Sequence, residues 1–473
     1  MIRFNAFAMN TVGHQSPGLW THPRDQSHRY TDVDYWIELA QLLERGRFDA
    51  LFIADVLGVY DVYAGSADAA LRHAVQVPVN DPLLVVPAMA AATRHLGFGV
   101  TFSLTYEHPV PFARRMSTLD HLTKGRVGWN IVTGYLDSAA RNLGLTRQLA
   151  HDDRYDLADE YLDVVYKLWE HSWDADAVVR DKASGVYTDP TKVHGIAHVG
   201  THYRVPGIHL CEPSPQRTPV LYQAGASARG LEFAGRHAEC VFISAPTQPT
   251  LKRATVAIRD AVTSVGRRPD DVLIYAQALV VTAATRAEAE AKYRDYLQHV
   301  DVEAALALLS GWTGIDFAGY DPDAVIEYLE NDAGRTALAS FSKADPSRKW
   351  TVREAAQFVG LGGRGPVFVG APSEVADQLQ QWQSATGVDG FNLTYAVAHD
   401  DFRDVVDLVV PELQDRALYP TEYVDGALRH KLFGEGPHLK PRHVGRRPSL
   451  GPAAPRAPLA AVPNPGERRI AAA

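Results

Sequence analysis

Between Gly125 and Tyr161 the chain reads GRVGWNIVTGYLDSAARNLGLTRQLAHDDRYDLADEY. Four of its polar residues, Asn130, Thr133, His151 and Tyr155, fall at or near the end of a predicted strand or the start of a predicted helix. A strand end presents amides and hydroxyls, and a helix start presents unpaired N–H groups at the positive end of its dipole. The chemistry such a set suits is recognition of a polar, phosphorylated molecule. An ordinary strand–loop–helix connection carries the same residue types, so this stretch alone does not decide. A second stretch, QAGASAR from Gln223 to Arg229, repeats the form: a strand end, a small-residue turn, then a helix start with Ser227 near the N-cap. Unpaired N–H groups there suit a phosphate, although simple N-capping by serine reads the same way.

The remaining predicted strand ends contribute Asp55, Thr101, Ser103, Ser244 and Tyr395. The set is small and polar, with no Ser/His/Asp or Cys/His arrangement that the spacing supports. The two cysteines, Cys211 and Cys240, make neither a disulfide framework nor a CxxC motif. His194 and His198 are four apart, but Pro190 and Gly195 argue against the helix that would bring them together, so no metal is expected. A pocket without nucleophile, metal or paired acids is a poor hydrolase. It is a reasonable holder for a cofactor that brings its own chemistry.

Apolar and β-branched runs predict eight strands, at 2–9, 48–54, 96–103, 126–132, 219–224, 239–244, 271–282 and 390–396, each followed by a helical pattern. Short continuous apolar strands alternating with helices predict an α/β fold, a (β/α)₈ TIM barrel, with its site at the C-terminal strand ends. A doubly wound sheet would need a glycine-rich phosphate loop after the first strand, and NTVGHQSPG contains no GxGxxG. Two insertions, about 171–217 and 301–366, interrupt the pattern, and the second has the length of a lid. The barrel domain spans 1–434. From Pro437 to Ala473 eight prolines and seven Lys/Arg against one Glu predict a disordered tail.

The chain has 473 residues, 46% hydrophobic and 22% charged, with a formal net charge of −9. That balance argues against nucleic acid or an anionic membrane as partner. The start, MIRFNAFAMN, lacks the pattern of a signal peptide, and no apolar run has the length of a membrane span, so a cytoplasmic protein is expected.

Five segments together resemble the bacterial-luciferase-like flavin monooxygenases: DALFIADVLGVYDVY (49–63), HLGFGVTFSLTYEHPVPFARRMSTLDHLTKGRVGWNIVTGYLDSAARNLGL (95–145), HDDRYDLADEYLDVVYKLWE (151–170), HLCEPSPQRTPVLYQAGASARG (209–230) and GVDGFNLTYAV (387–397). Within that family the chain resembles the branch of nitrilotriacetate monooxygenase component A, EDTA monooxygenase, dibenzothiophene sulfone monooxygenase and long-chain alkane monooxygenase. The likeness covers about 1–434.

The resemblance implies a two-component monooxygenase. Reduced FMN (FMNH₂) arrives from a separate NAD(P)H:FMN reductase, reacts with O₂ to a C4a-(hydro)peroxyflavin, and one oxygen atom enters a small organic substrate. It implies flavin contacts at Asp55, Thr101, Asn130, Thr133, His151, Tyr155, Ala226 and Ser227. A positioned imidazole could set the protonation of the peroxide, which makes His14 and His108 the catalytic candidates. Trp20, Tyr106 and Tyr135 are the substrate-side candidates. Thr21 stands where many relatives carry Arg, with Arg24 three residues on. A homodimer or homotetramer is expected. The alternative function is a flavin- or F420-dependent reductase, or a flavin-binding protein, on the same barrel.

Overall fold

The computed structural model describes residues 1–225, 227–327, 341 and 348–447. Eight parallel strands close into a ring: β1 (Arg3–Met9), β2 (Ala50–Ala54), β3 (Gly97–Ser103), β4 (Val127–Val132), β5 (Val220–Gln223), β6 (Cys240–Ile243), β7 (Leu273–Thr282) and β8 (Gly390–Thr394). Closure comes from β6 against β7, with Cys240 opposite Leu273, and β8 against β1, with Gly390 opposite Arg3. The chain is therefore a TIM barrel. The predicted strands are these eight, within two residues at every end. A further strand, Val367–Gly370, pairs with the distal half of β7 and stays outside the ring.

Side chains alternate outward and inward along each strand. Outward residues such as Phe4, Leu51, Phe98 and Trp129 pack in the main core. The inward set begins with an aromatic layer of Phe52, Tyr222, Phe242 and Tyr275, in which the Phe52 and Phe242 rings lie 4.0 Å apart. Gly128 makes room for it, since a Cβ there would sit 2.4 Å from the Tyr222 ring. Leu428 and Leu432 of a C-terminal helix, Leu428–Phe433, join this layer. Two residues further along the strands the inward positions turn polar: Thr101, Asn130, Gln277 and Asn392. The barrel is thus blocked by apolar rings beneath a polar floor.

The 171–217 insertion holds two short hairpins, Val178–Asp181 with Val186–Thr188 and His198–Val199 with Arg204–Val205. The described part of the 301–366 insertion contributes the helices Val302–Thr313 and Val352–Val359. They share an apolar cluster with Tyr60, Ala69, Ala70, Leu136 and Ala139, so they rest on the loops that follow β2 and β4. The approach is close enough to require glycine: a Cβ on Gly311 would lie 1.9 Å from the Tyr60 ring. Residues 328–340 and 342–347 of this lid candidate lie outside the described residues.

The tail departs from its sequence reading at its start. Residues 437–447 pack on the barrel rather than trailing from it. Lys440 pairs with Asp271 at 3.1 Å, Arg446 lies 3.3 Å from Glu170, and the buried His443 donates from Nε2 to the His237 carbonyl at 2.9 Å. Three partners distant in sequence, Asp271, Glu170 and His237, and the nearer Arg429 hold a segment whose proline content alone argues for disorder. Residues 448–473, the rest of the expected disordered tail, lie outside the described residues.

Candidate active site

At the C-terminal strand ends a cavity of about 700 Å³ opens above the polar floor and adjoins a second of about 310 Å³. Asp55, Tyr135, Ser227, Trp312 and Arg364 line both, so the two form one elongated space. The strands position its floor by register. Thr101 on β3 stands opposite Asn130 on β4, and Asn130 Nδ2 donates to Thr101 Oγ1 at 2.9 Å. The Oδ1 of Asn130 is buried without a partner, as are Asn392 Oδ1, Gln223 Oε1 and Ser103 Oγ, all on residues that line the space. Buried acceptors are ordinarily hydrogen-bonded, so a row of orphaned ones marks where a polar ligand makes the missing bonds.

Asp55 follows the end of β2. Burial raises its carboxyl to about 7, the neighbouring Asp81 carboxylate adds to the rise, and the Val56 N–H opposes it. Near neutral pH the group can therefore either donate or accept a hydrogen bond.

His14 is buried beside the larger cavity, its ring 4.5 Å from Phe7 in a T-shaped contact. Burial lowers its pKa to about 3, only partly offset by the Phe7 backbone, so the ring is neutral. An amide relay fixes its tautomer. Ser244 Oγ donates to Gln277 Oε1, Gln277 Nε2 donates to Gln15 Oε1 at 3.1 Å, and Gln15 Nε2 faces His14 Nε2 at 3.3 Å. Nε2 is then the acceptor, and the proton sits on Nδ1, which has no well-formed bond.

The opposite end of the space is built from two helix starts. Ser227 caps the helix Ala228–His237, accepting from the Gly230 N–H at 3.0 Å. Thr247 caps the helix Gln248–Ser264. Ser227, Ala228, Thr250 and Arg253 all line the larger cavity. Two helix N-termini, the second carrying Arg253 within its first turns, suit a phosphate. Tyr155 borders this end, its hydroxyl near Ser227 and Gln223, and burial raises its pKa. His151 lies beside it, 5.3 Å ring to ring, with Nδ1 2.6 Å from Asp152.

Nine of the sequence candidates with described coordinates meet in this space: Asp55, Thr101, Asn130, Thr133, His151, Tyr155, Ser227, Tyr106 and Tyr135. His14 joins them as a tenth. Ala226 lies outside the described residues. Two candidates are displaced. His108 lines neither cavity: its Nδ1 caps the helix Pro109–Leu122 by accepting from the Val110 N–H at 3.3 Å, and its ring faces Tyr203. Trp20 is 43% exposed and its indole donates outward, to the His73 carbonyl at 3.2 Å. Arg24 likewise turns away, to Asp400 at 3.3 Å.

The sequence reading missed Tyr60, Arg253 and Arg364, and took Gln223 only as the start of the QAGASAR stretch. Arg253 had a signal in its place on the first turns of the helix after β6. Arg364 had one in the run GLGGRGP, a single charge among glycines.

His198 and His194 stay apart, the first buried beside Glu160 and the second against Asp174. Elsewhere among the described residues His22, Asp295 and His299 cluster as a cation would require. However, His22 Nδ1 accepts from the Arg24 N–H, so Nε2 keeps its proton and donates to Asp295 at 3.0 Å. That nitrogen has no lone pair to give.

Comparison with known proteins decides the family. A profile described as "Luciferase-like monooxygenase" matches residues 9–389. The chain belongs to the luciferase-like monooxygenase family. Dimethyl-sulfide monooxygenase of Hyphomicrobium sulfonivorans is 54% identical over 433 residues, 92% of this chain and 90% of that one. Long-chain alkane monooxygenase of Geobacillus thermodenitrificans is 51% identical over 447 residues, 94% of this chain and 97% of its own. The crystal structure of DmoA from Hyphomicrobium sulfonivorans matches with a TM-score of 0.88 at 53% identity, over 94% of this chain and 95% of that chain. Riboflavin lyase, solved with modified FMN and riboflavin, matches with the same TM-score at 38% identity, over 94% and 98% of the two chains. This luciferase-like monooxygenase is thus an enzyme of a flavin-dependent family that uses O₂ as co-substrate. No helix among its described residues is long and apolar enough to cross a membrane.

Proposed function

We propose that this luciferase-like monooxygenase is the oxygenase component of a two-component system. It takes up FMNH₂ from a separate NAD(P)H:FMN reductase and inserts one atom of O₂ into a small organic substrate. The observation that carries the reading is the row of orphaned acceptors, Asn130 Oδ1, Asn392 Oδ1, Gln223 Oε1 and Ser103 Oγ, running along a space that ends at two helix N-termini. A flavin has the matching shape: a polar ring edge, a hydroxylated chain and a phosphate. Asp55, Thr101, Asn130 and Thr133 hold the ring and chain in this reading. Tyr155, His151, Ser227, Thr250 and Arg253 hold the phosphate end.

When bound, the reduced flavin supplies the electrons that activate O₂. The protein's own work is done by its walls. The aromatic layer of Phe52, Tyr222, Phe242 and Tyr275 shuts out water from below, and the helix Val302–Thr313 brings Trp312 over the top. His14, kept neutral by burial, lines the space without bringing a positive charge into it. Tyr135 donates to Tyr60 at 2.8 Å, and Tyr60 donates on to Gln76 at 2.9 Å, which fixes the hydroxyls on the substrate side.

The test combines the protein, FMN, a generic NADH-dependent flavin reductase and isotopically labelled O₂ with a panel of thioethers, sulfones, aminopolycarboxylates and alkanes. The expected result is a product one labelled oxygen heavier. No incorporation across the panel, together with no binding of reduced FMN, would sink the reading.

A further inference from the structure

Buried arginines in this fold are paired. Arg126 donates to the carbonyls of Ala90, Leu96 and Thr123 at 2.7–3.0 Å. Arg267 donates to the Gly235 carbonyl at 2.9 Å, and Arg429 is bound to Glu239 at 2.7 Å. Arg364, half-buried, is different. It lines both parts of the active-site space, and among the described residues no carboxylate pairs with it and no acceptor takes a hydrogen bond from it. Its guanidinium lies 5.2 Å from the centre of the Trp312 ring, near the Tyr60 and Tyr135 hydroxyls.

The loop that carries it is built for this placement. Gly362 and Gly363 both have left-handed backbones, at φ 82° and 71°. A Cβ on Gly363 would lie 2.1 Å from Gln15 Oε1, and one on Gly365 would lie 2.4 Å from the Gln277 carbonyl. The Gly362 N–H donates to Ser16 Oγ at 3.1 Å, and its carbonyl accepts from Gln277 Nε2 at 2.8 Å. Glycine at three positions lets the backbone press against the barrel floor, and the one side chain of the run points into the cavity. The guanidinium is half-buried at the cavity wall, and a ligand that brings a counter-charge there gains a charge-assisted pair that no side chain among the described residues already takes.

We infer that Arg364 is a specificity residue for a substrate carrying an oxyanion, a carboxylate or its sulfur-oxygen equivalent, on a small apolar body. The planar guanidinium fork pairs with such a group in a bidentate way, while Trp312, Tyr60, Tyr135 and Val132 enclose the rest. The phosphate of a flavin is the other anion in the proposed function, on which this inference rests. That phosphate already has two helix N-termini and Arg253, whereas Arg364 keeps company with the aromatic side chains.

The test is calorimetric and needs no turnover. Butyrate, methylthiopropanoate and benzoate are each titrated against the matching neutral amide, in the wild type, Arg364→Lys and Arg364→Met, and each protein is also titrated with FMN and riboflavin. The expected result is at least one acid bound about ten-fold more tightly than its amide by the wild type, equivalent to ~1.4 kcal/mol. The preference should shrink in Arg364→Lys and vanish in Arg364→Met, with FMN affinity unchanged in both. No acid preferred in any pair overturns the inference. So does a preference that survives in Arg364→Met, or a loss of affinity for FMN but not riboflavin, which would assign Arg364 to the flavin phosphate. Failure of reduced FMN, titrated without oxygen, to bind the wild type strikes the proposed function instead and leaves the acid–amide comparison readable.

Discussion

Asn130 and Thr101 face each other across β4 and β3, and their hydrogen bond uses the asparagine's Nδ2 while its Oδ1 stays buried and unpaired. An unpaired buried acceptor costs roughly 1–3 kcal/mol, and a ligand N–H removes that cost. Asn130→Leu keeps the branched shape, adds bulk on the side of the open cavity, and has no oxygen to strand. The ligand-free variant should therefore melt no lower than the wild type, while its affinity for FMN falls about ten-fold, from a net hydrogen bond of ~1 kcal/mol and lost polar fit. Flavin fluorescence titration beside a thermal melt checks both halves. Equal affinity in wild type and variant would remove Asn130 from the flavin site.

Ser227 accepts from the Gly230 N–H and so begins the helix that borders the cavity. Aspartate caps a helix start as well as serine does, so Ser227→Asp should fold with unchanged stability. Its charge then faces the flavin phosphate in the proposed site. FMN should bind more weakly, by about ten-fold or more, while riboflavin, which has no phosphate, should bind as before. A parallel loss for both flavins would mean that the substitution disturbs the turn rather than repelling a phosphate.

Burial and the Asp81 carboxylate hold the folded Asp55 carboxyl at about 7, against its ordinary value of 3.8. Below the lower value both the folded and unfolded chains keep the proton. Between the two values only the folded chain keeps it, so stability falls as pH rises, and above about 7 the loss is complete. Asn at position 55 does not titrate. Urea unfolding of the ligand-free wild type and Asp55→Asn at about pH 5 and about pH 8 should show the variant gaining on the wild type at the higher pH. A constant difference would show that Asp55 is solvated well enough to ionise freely.

The barrel was legible because its strands are continuous apolar runs, and a run such as LGFGVTFS admits little else when helices alternate with it. The strand-end residues were legible for the same reason: once β3 and β4 are placed, Thr101 and Asn130 must point inward near the top. Residues outside that logic misled or stayed hidden. His108 precedes Pro109, and a side chain that accepts just before a helix-starting proline is first of all a cap. Trp20 lies in a loop whose course follows from its contact with His73, 53 residues away, which no local pattern encodes. Arg364 enters the site through a loop pinned to Ser16 and Gln277, so its place depends on a distant loop and a distant strand already being assembled. The start of the tail was hidden in the same way, because proline content describes local stiffness and says nothing of Asp271 or Glu170 waiting on the barrel.

That last contrast separates two truncations that the sequence alone would treat as one. Ending the chain after Arg447 removes residues 448–473 and leaves the named pairings of the 437–447 segment in place. Activity and melting temperature should match the full chain. Ending it before Pro437 strips Lys440 from Asp271, His443 from the His237 carbonyl, Arg446 from Glu170 and the Pro437 carbonyl from Arg429. Asp271 and Arg429 are buried in the full chain, and after the cut each keeps a second partner, the Arg268 N–H and Glu239 respectively. Each lost pairing is worth roughly 0.5–3 kcal/mol net, and four are lost at once, so destabilisation on the order of 3 kcal/mol is expected. Arg429 also lies on the helix whose Leu428 and Leu432 join the aromatic layer under the active site. The shorter chain should therefore lose flavin affinity along with stability, and both are read by melting the two truncations with and without FMN. If the shorter chain matches the longer one in both, the packed segment contributes nothing to the barrel it covers.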